Sequence, residues 1–154
     1  PLDEVINSIE NADIIIMGPG SLYTSIIPNL LVNGVVDAIE KSKAPKVYIC
    51  NIMTQPGETD DFSVYDHVAY LEKYLGKNSL DVVIANNTIM SSKLASRYAS
   101  EELKDPVIFD LSEFEGSNIH LIADKLFTIE DGYYRHDSLK TAYLIFSYLM
   151  DGDK

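Results

Sequence analysis

The stretch from Ala12 to Ser25, Ala-Asp-Ile-Ile-Ile-Met-Gly-Pro-Gly-Ser-Leu-Tyr-Thr-Ser, constrains the fold more than any other part of the chain. Ile14 to Met17 form a continuous apolar run bounded by turn residues, the pattern of a strand buried on both faces. Gly18-Pro19-Gly20 breaks it sharply, and Ser21 or Thr24 is placed to cap a short helix after the break. A strand, a glycine turn and a helix start are the parts of an anion site. Glycines let the backbone approach a phosphate, and free N–H groups at the helix start point at it. The plain alternative is a strand-to-helix turn with no ligand, because short glycine motifs recur by chance. The hydroxyls of Ser21, Thr24 and Ser25, followed by Asn29, favour a site.

The rest of the chain alternates strand and helix patterns. Leu2, Val5, Ile6 and Ile9 recur at helical spacing up to Asn11. After the glycine turn, Ile26-Ile27-Pro28-Asn29 starts a helix with Leu31, Val35 and Ile39 on its buried face, Gly34 inside it and Pro45 beyond its end. Val47 to Cys50 is a second buried strand, followed by a polar loop over 51–61. Ser63 and Asp66 form a capping box for a helix with the stripe Val64, Val68, Leu71 and Leu75, closed by Gly76. Leu80 to Ala85 is a third strand ending in Asn86-Asn87, and a helix is expected over Ser92 to Leu103. Val107 to Phe109 is expected as a fourth strand, whereas Ile119 to Phe127 fits either strand or helix. Asp131-Gly132 marks a hairpin or loop. Asp137 caps a last helix whose buried face is expected to be Leu139, Tyr143, Phe146 and Met150. The alternation predicts an α/β chain with a mainly parallel sheet covered on both faces, here as one domain over residues 1–154.

Composition narrows the partners. Twelve basic against twenty-four acidic residues give a formal charge of −12, which argues against nucleic acid. No apolar run reaches the length of a bilayer span and no signal peptide opens the sequence, so a cytoplasmic protein is expected. The single cysteine, Cys50, excludes an internal disulfide and reads as a small buried hydrophobe. The chain begins at Pro1 inside a helical pattern, which points to a piece of something longer.

If the strands are parallel, Gly18 to Ser21, Asn51 to Thr59 and Asn86-Asn87 meet at one edge of the sheet, where open α/β sheets bind ligands. Asn51 and Asn86 offer donors and acceptors for a base, ribose or sugar, or else simply form turns. Glu58, Asp60, Asp61 and Asp66 lie close to His67, but at no recognisable metal spacing. Asp66 and His67 are candidates for acid–base work or a sugar contact, the alternative being loop and helix-start charges. Arg135, in Arg135-His136-Asp137, is either a phosphate clamp or the ion-pair partner of Asp137.

Longer blocks carry a resemblance. Gly18-Pro19-Gly20-Ser21-Leu22-Tyr23-Thr24-Ser25-Ile26-Ile27-Pro28-Asn29-Leu30-Leu31 resembles the central signature of the YvcK family of gluconeogenesis factors. Asn51-Ile52-Met53-Thr54-Gln55-Pro56-Gly57-Glu58-Thr59-Asp60, Asp66-His67-Val68, Tyr98-Ala99-Ser100-Glu101 and Arg135-His136-Asp137 are similar to further blocks of it. The resemblance implies a three-layer α/β/α Rossmann-like (CofD-like) fold. It also implies a regulatory protein that binds UDP-activated sugars such as UDP-N-acetylglucosamine and supports cell shape and growth on gluconeogenic carbon, with no established catalytic turnover. The family's N-terminal Gly-Gly-Gly-Thr-Gly turn is absent, so the chain is expected to be the C-terminal portion of a longer CofD-like protein.

The candidate nucleotide-sugar contacts are Gly18, Pro19, Gly20, Ser21, Thr24, Asn51, Thr54, Asn86, Tyr98 and Arg135, with no metal ligand and no certain cofactor. A homo-oligomer is the expected assembly. The related branch, 2-phospho-L-lactate transferase, binds a guanine nucleotide and a deazaflavin. It would show Gly-Pro-Ser-Asn-Pro at the Gly18 turn and Ser-Pro-Ile-x-Gly-Gly-Lys at Asn51 to Gly57, and neither is present. A nucleotide-dependent transferase is therefore the second reading, and an interaction module with a vestigial pocket the third.

Overall fold

Strand β1 (Ile15–Met17) starts a parallel ladder that runs through β2 (Lys46–Ile49) and β3 (Val82–Asn86) to β4 (His120–Asp124), in that spatial order. In this computed structural model residues 2–151 are described, without the side chains of Lys93, Leu94, Arg97, Glu101 and Asp151; Pro1 and the Glu101 side chain of the Tyr98 motif thus lie outside the described residues. Register is fixed by pairs such as Ile16 with Val47, Tyr48 with Val83 and Ile84 with Ile122. Alternation along each strand splits the core in two. Met17, Tyr48, Cys50, Val83 and Ala85 face one side, against helices α2 (Ile27–Leu30), α3 (Val35–Lys41) and α4 (Val64–Leu75), with Ile9 of α1 (Asp3–Glu10) at the margin. Val47, Ile49, Val82 and Ile84 face the other, against Leu126 and the inner residues Leu144, Ile145 and Tyr148 of α6 (Ser138–Asp151). The result is a three-layer α/β/α fold. No single helix among the described residues is long and apolar enough to cross a membrane.

A third apolar cluster sits over the C-terminal edge of the sheet. Ile52, Met90, Tyr98 and the hairpin residues Phe127 and Tyr134 pack together there. Tyr98 belongs to α5 (Ser92–Glu101); the hairpin is β5 (Phe127–Glu130) with β6 (Tyr133–His136). Its turn residues Asp131 and Gly132 both have positive φ, 51° and 80°, as a two-residue turn that follows strand twist requires.

Three expectations are corrected. The fourth strand is His120–Asp124, not Val107 to Phe109. Val107 to Phe109 instead lies along the 52–64 loop: Val107 N–H donates to the Ile52 carbonyl (3.1 Å), and the Ile108 carbonyl accepts Val64 N–H (2.8 Å). Only Val107 of these three is buried, so the apolar run reports β propensity without a ladder. β4 was ambiguous because it is the sheet's far edge, exposed at His120 and half-buried beyond, with polar ends.

The segment after the glycine turn is not one helix. Leu22–Ile26 is a π-helical turn leading into α2, and Gly34 at φ 84° then breaks the chain before α3. A left-handed residue there rotates the following face, so Val35 and Ile39 are buried while Leu31 is 65% exposed. The last helix is turned over as well: Leu139, Tyr143, Phe146 and Met150 are all exposed rather than buried.

Candidate functional site

The polar strand ends do converge on one edge, because Gly18, Asn51 and Asn86 all stand at or just beyond the C-terminal ends of mutually parallel strands. A cavity of about 400 Å³ opens at this edge, lined by Pro19, Gly20, Ser21, Asn51, Thr54, Tyr98 and Arg135 together with Ile52, Met53, Gln55, Glu102, Lys104, Tyr133, Tyr134 and His136.

The glycine turn is held by side chains from the next loop. Asn51 Oδ1 accepts Gly20 N–H (2.9 Å) and its Nδ2 donates to the Gly20 carbonyl (3.0 Å), a two-point clamp between segments 31 residues apart. The Gly20 amide is thus already engaged, and Pro19, Gly20 and Ser21 form one wall of the cavity. Ser21 Oγ donates to Glu58 Oε2 (2.5 Å) and accepts Thr24 N–H (3.0 Å). Thr54 Oγ1 accepts Asp105 N–H (2.9 Å), tying the loop to the segment after α5.

Aromatic rings make the other wall. The Tyr98 hydroxyl accepts Tyr134 N–H (2.7 Å), and the Tyr98 ring stacks on Tyr134 (5.7 Å, 24°) and meets Tyr133 edge-on (6.1 Å). The Tyr134 hydroxyl accepts Ser91 N–H (3.2 Å), so the hairpin is bonded at both ends of α5's first two turns. Arg135 stands between these tyrosines and His136 on β6, with its guanidinium 5.8 Å from the Tyr133 ring. Among the described residues it pairs with no carboxylate. Asp137, its alternative partner, accepts Lys140 N–H instead (2.9 Å). His136 Nε2 lies 3.2 Å from the Cys50 carbonyl, and burial lowers its pKa. Burial likewise pushes the Cys50 thiol up to about 12, which leaves it an inert packing residue.

Other candidates lie elsewhere. Gly18 faces an apolar cavity of about 370 Å³ with Met17, Ile26 and Leu30. Thr24 is exposed and contributes its amide to Ser21. Asn86 holds a turn, accepting Leu126 N–H (3.2 Å) and donating to the Thr88 carbonyl (2.9 Å), and borders a separate cavity of about 280 Å³. Asp66 and His67 serve α4. Asp66 Oδ2 accepts Ser63 N–H (2.9 Å), while Ser63 Oγ accepts Asp66 N–H (3.1 Å). His67 is fully buried, with Nδ1 2.8 Å from the Ser63 carbonyl and its ring edge-on to Phe62. Burial lowers its pKa, so it is a neutral core imidazole. Sequence reasoning missed Glu102, Lys104, Tyr133 and Tyr134. The tyrosines adjoin a legible hairpin turn, whereas Glu102 and Lys104 sit in an ordinary polar helix end with no signal.

A three-layer α/β protein built on a parallel sheet, with a cavity at the C-terminal edge of that sheet, is Rossmann-like by class. The family model for 2-phospho-L-lactate transferase CofD matches residues 1–127, and the chain belongs to the CofD family. Its relatives are bacterial gluconeogenesis factors. That of Bacillus subtilis is 41% identical over 151 residues, 98% of this chain and 47% of the relative. That of Listeria monocytogenes is 39% identical over 142 residues, 92% of this chain and 43% of the relative. A crystal structure of a UPF0052-family protein from Bacillus halodurans superposes with a TM-score of 0.88 at 39% identity, over 94% of this chain and 47% of that one. The chain thus spans about half the length of these relatives.

Proposed function

We propose that this chain carries the nucleotide-sugar site of a cytoplasmic regulatory protein that supports cell shape and growth on gluconeogenic carbon, with UDP-N-acetylglucosamine or a close relative as ligand. The observation that carries the reading is Arg135. In a chain with a formal charge of −12, its guanidinium is free of acid partners among the described residues and lines a cavity beside three tyrosines. Pyrophosphate needs such a local cation, a guanidinium can fork two phosphate oxygens, and Tyr133, the only one of the three tyrosines that is not buried, offers a ring to a base or sugar. The cavity falls in the range of ~300–1,000 Å³ typical of small-molecule sites. Asn51 Oδ1 and Nδ2 are spent on Gly20, so its part is to shape the wall.

Calorimetric titration of the full-length protein with UDP-N-acetylglucosamine, GDP and NAD, with a check for product, tests this. The UDP-sugar is expected to bind and to be recovered unchanged. Arg135→Ala should weaken binding by about 1.5–3 kcal/mol, the range for a charge-assisted hydrogen bond, and Arg135→Lys should recover little. The melting temperature should hold. A drop in melting temperature with unchanged affinity would remove Arg135 from the site.

The family description favours a second reading, a nucleotide-dependent transferase. Against it, Gly18-Pro19-Gly20-Ser21 and Asn51 to Gly57 stand where transferase motifs are expected. Steady release of UDP or transfer of the sugar would establish it in place of the binder.

A further inference from the structure

The chain makes a hook after Tyr98 that the reading above leaves unused. The Tyr98 carbonyl accepts the amides of both Glu102 (2.9 Å) and Lys104 (3.3 Å). Leu103 between them has φ 54°, a left-handed conformation uncommon for such a residue, and its side chain is 71% exposed. With Leu103 turned out, Glu102 and Lys104 both line the cavity, and Lys104 Nζ lies 2.7 Å from Glu102 Oε2. Arg135 lines the same cavity without an acid partner among the described residues. Among the described residues the cavity is therefore lined by a lysine and an arginine in unequal states, an open guanidinium and an ammonium already occupied.

We infer that Glu102 is a built-in competitor for Lys104, and that this pair makes the cavity selective for ligands with two linked phosphates over those with one; the inference rests on the nucleotide-sugar reading. A single phosphate is satisfied by the fork of Arg135, and Glu102 then keeps Lys104. A second phosphate supplies the charge that takes Lys104 over, and Glu102 moves into water. Both side chains are about one-third exposed, so the pair is solvent-screened and the exchange is within reach of a diphosphate. While it stays in place, the Glu102 carboxylate repels any anion that does not displace it, and such a repulsive element is a common source of specificity.

The test is titration of the full-length protein with UDP-N-acetylglucosamine, UDP and UMP, with melting temperatures measured on every variant. Glu102→Gln keeps the shape, frees Lys104 and is expected to tighten both diphosphate ligands roughly three- to tenfold, a modest charge-competition effect. Lys104→Met is expected to weaken the diphosphate ligands by about tenfold or more and to change UMP by less than about twofold. Lys104→Arg should retain the diphosphate preference, which shows that the loss in Lys104→Met is not a folding defect. Unchanged or weaker diphosphate binding in Glu102→Gln overturns the inference, and so does an equal loss for UMP and UDP in Lys104→Met. The two readings fail separately. Absence of any UDP-compound binding to the unmodified protein removes the nucleotide-sugar site and this inference with it. Binding that depends on Arg135 but not on Lys104 removes this inference alone.

Discussion

Helices α4 and α6 begin alike and are buried unlike. Each is entered through a polar cap: Ser63 and Asp66 close a reciprocal box on α4, and on α6 Asp137 Oδ1 accepts Lys140 N–H while Thr141 Oγ1 donates to the Asp137 carbonyl. Each shows large apolar residues at helical spacing. On α4 that stripe, Val64, Val68, Leu71 and Leu75, is the buried face. On α6 the stripe from Leu139 (84% exposed) through Phe146 (65%) is the outer face, and Thr141, Leu144, Ile145 and Tyr148 turn to the sheet. The difference lies in the opposite side of each helix. α4 carries the exposed Asp66 and Lys73 there, so only one orientation buries the apolar stripe. α6 is apolar nearly all round and has two usable faces. Periodicity identifies a face; it does not say which of two faces meets the sheet.

The comparison breaks most visibly in the core of α4. Leu71→Ala is expected to cost about 2–5 kcal/mol in urea unfolding, the range for a fully buried large-to-small change, because Leu71 is wholly inaccessible. A cost below about 1 kcal/mol would mean that α4 is not the better-packed helix.

Next in size is the cap. Ser63→Ala should cost about 0.5–2 kcal/mol, since it leaves the Asp66 amide without its partner. The Asp66 carboxylate still accepts Ser63 N–H, so Asp66→Asn should lose less than the double variant Ser63→Ala/Asp66→Ala.

The two helices also differ in their histidines. His67 lies within α4 and His136 just before α6, and burial lowers the pKa of both against hydrogen bonding to the Ser63 and Cys50 carbonyls respectively. A lowered folded pKa means that the unfolded chain binds more protons below the ordinary value of ~6.5. Their contribution is present above ~6.5 and is lost as the pH falls through that value toward the folded one. Unfolding midpoints measured between neutral pH and pH ~5 should therefore fall. His67→Phe should flatten that fall more than His136→Gln, because His67 is completely inaccessible and His136 only half-buried.

The smallest effect is expected on the outer face of α6. Phe146→Gln and Leu139→Gln should change stability by no more than about 0.5 kcal/mol, as exposed positions do. A loss comparable to Leu71→Ala would show that the stripe is covered in the full-length protein and that the contrast between the helices belongs to this half alone.

What the sequence determined by itself is what short-range chemistry decides. The runs Ile14 to Met17, Val47 to Cys50 and Leu80 to Ala85 are mostly apolar and find strands within them, all parallel, although β1 lies at the sheet edge with Ile16 45% exposed and so is not buried on both faces as its apolar run predicts. The Ser63 box, the Asp131-Gly132 turn and the Asp137 cap are local hydrogen-bond and dihedral preferences, and each stands where its residues put it. The parallel order then sets Gly18, Asn51 and Asn86 on one edge, so the edge at which the candidate cavity opens was legible.

Its composition was not. Asn86 turns into its own loop, Gly20's amide is taken by Asn51, and Asp66 and His67 are used up by α4. Glu102, Lys104 and Tyr133 reach the cavity only because α5 ends in a left-handed residue and the hairpin folds back over the sheet edge. β4 and the orientation of α6 were likewise decided by tertiary contact. A half-exposed edge strand and a helix apolar on two sides carry no one-dimensional signal for their neighbours, and only the sheet they pack against makes the choice.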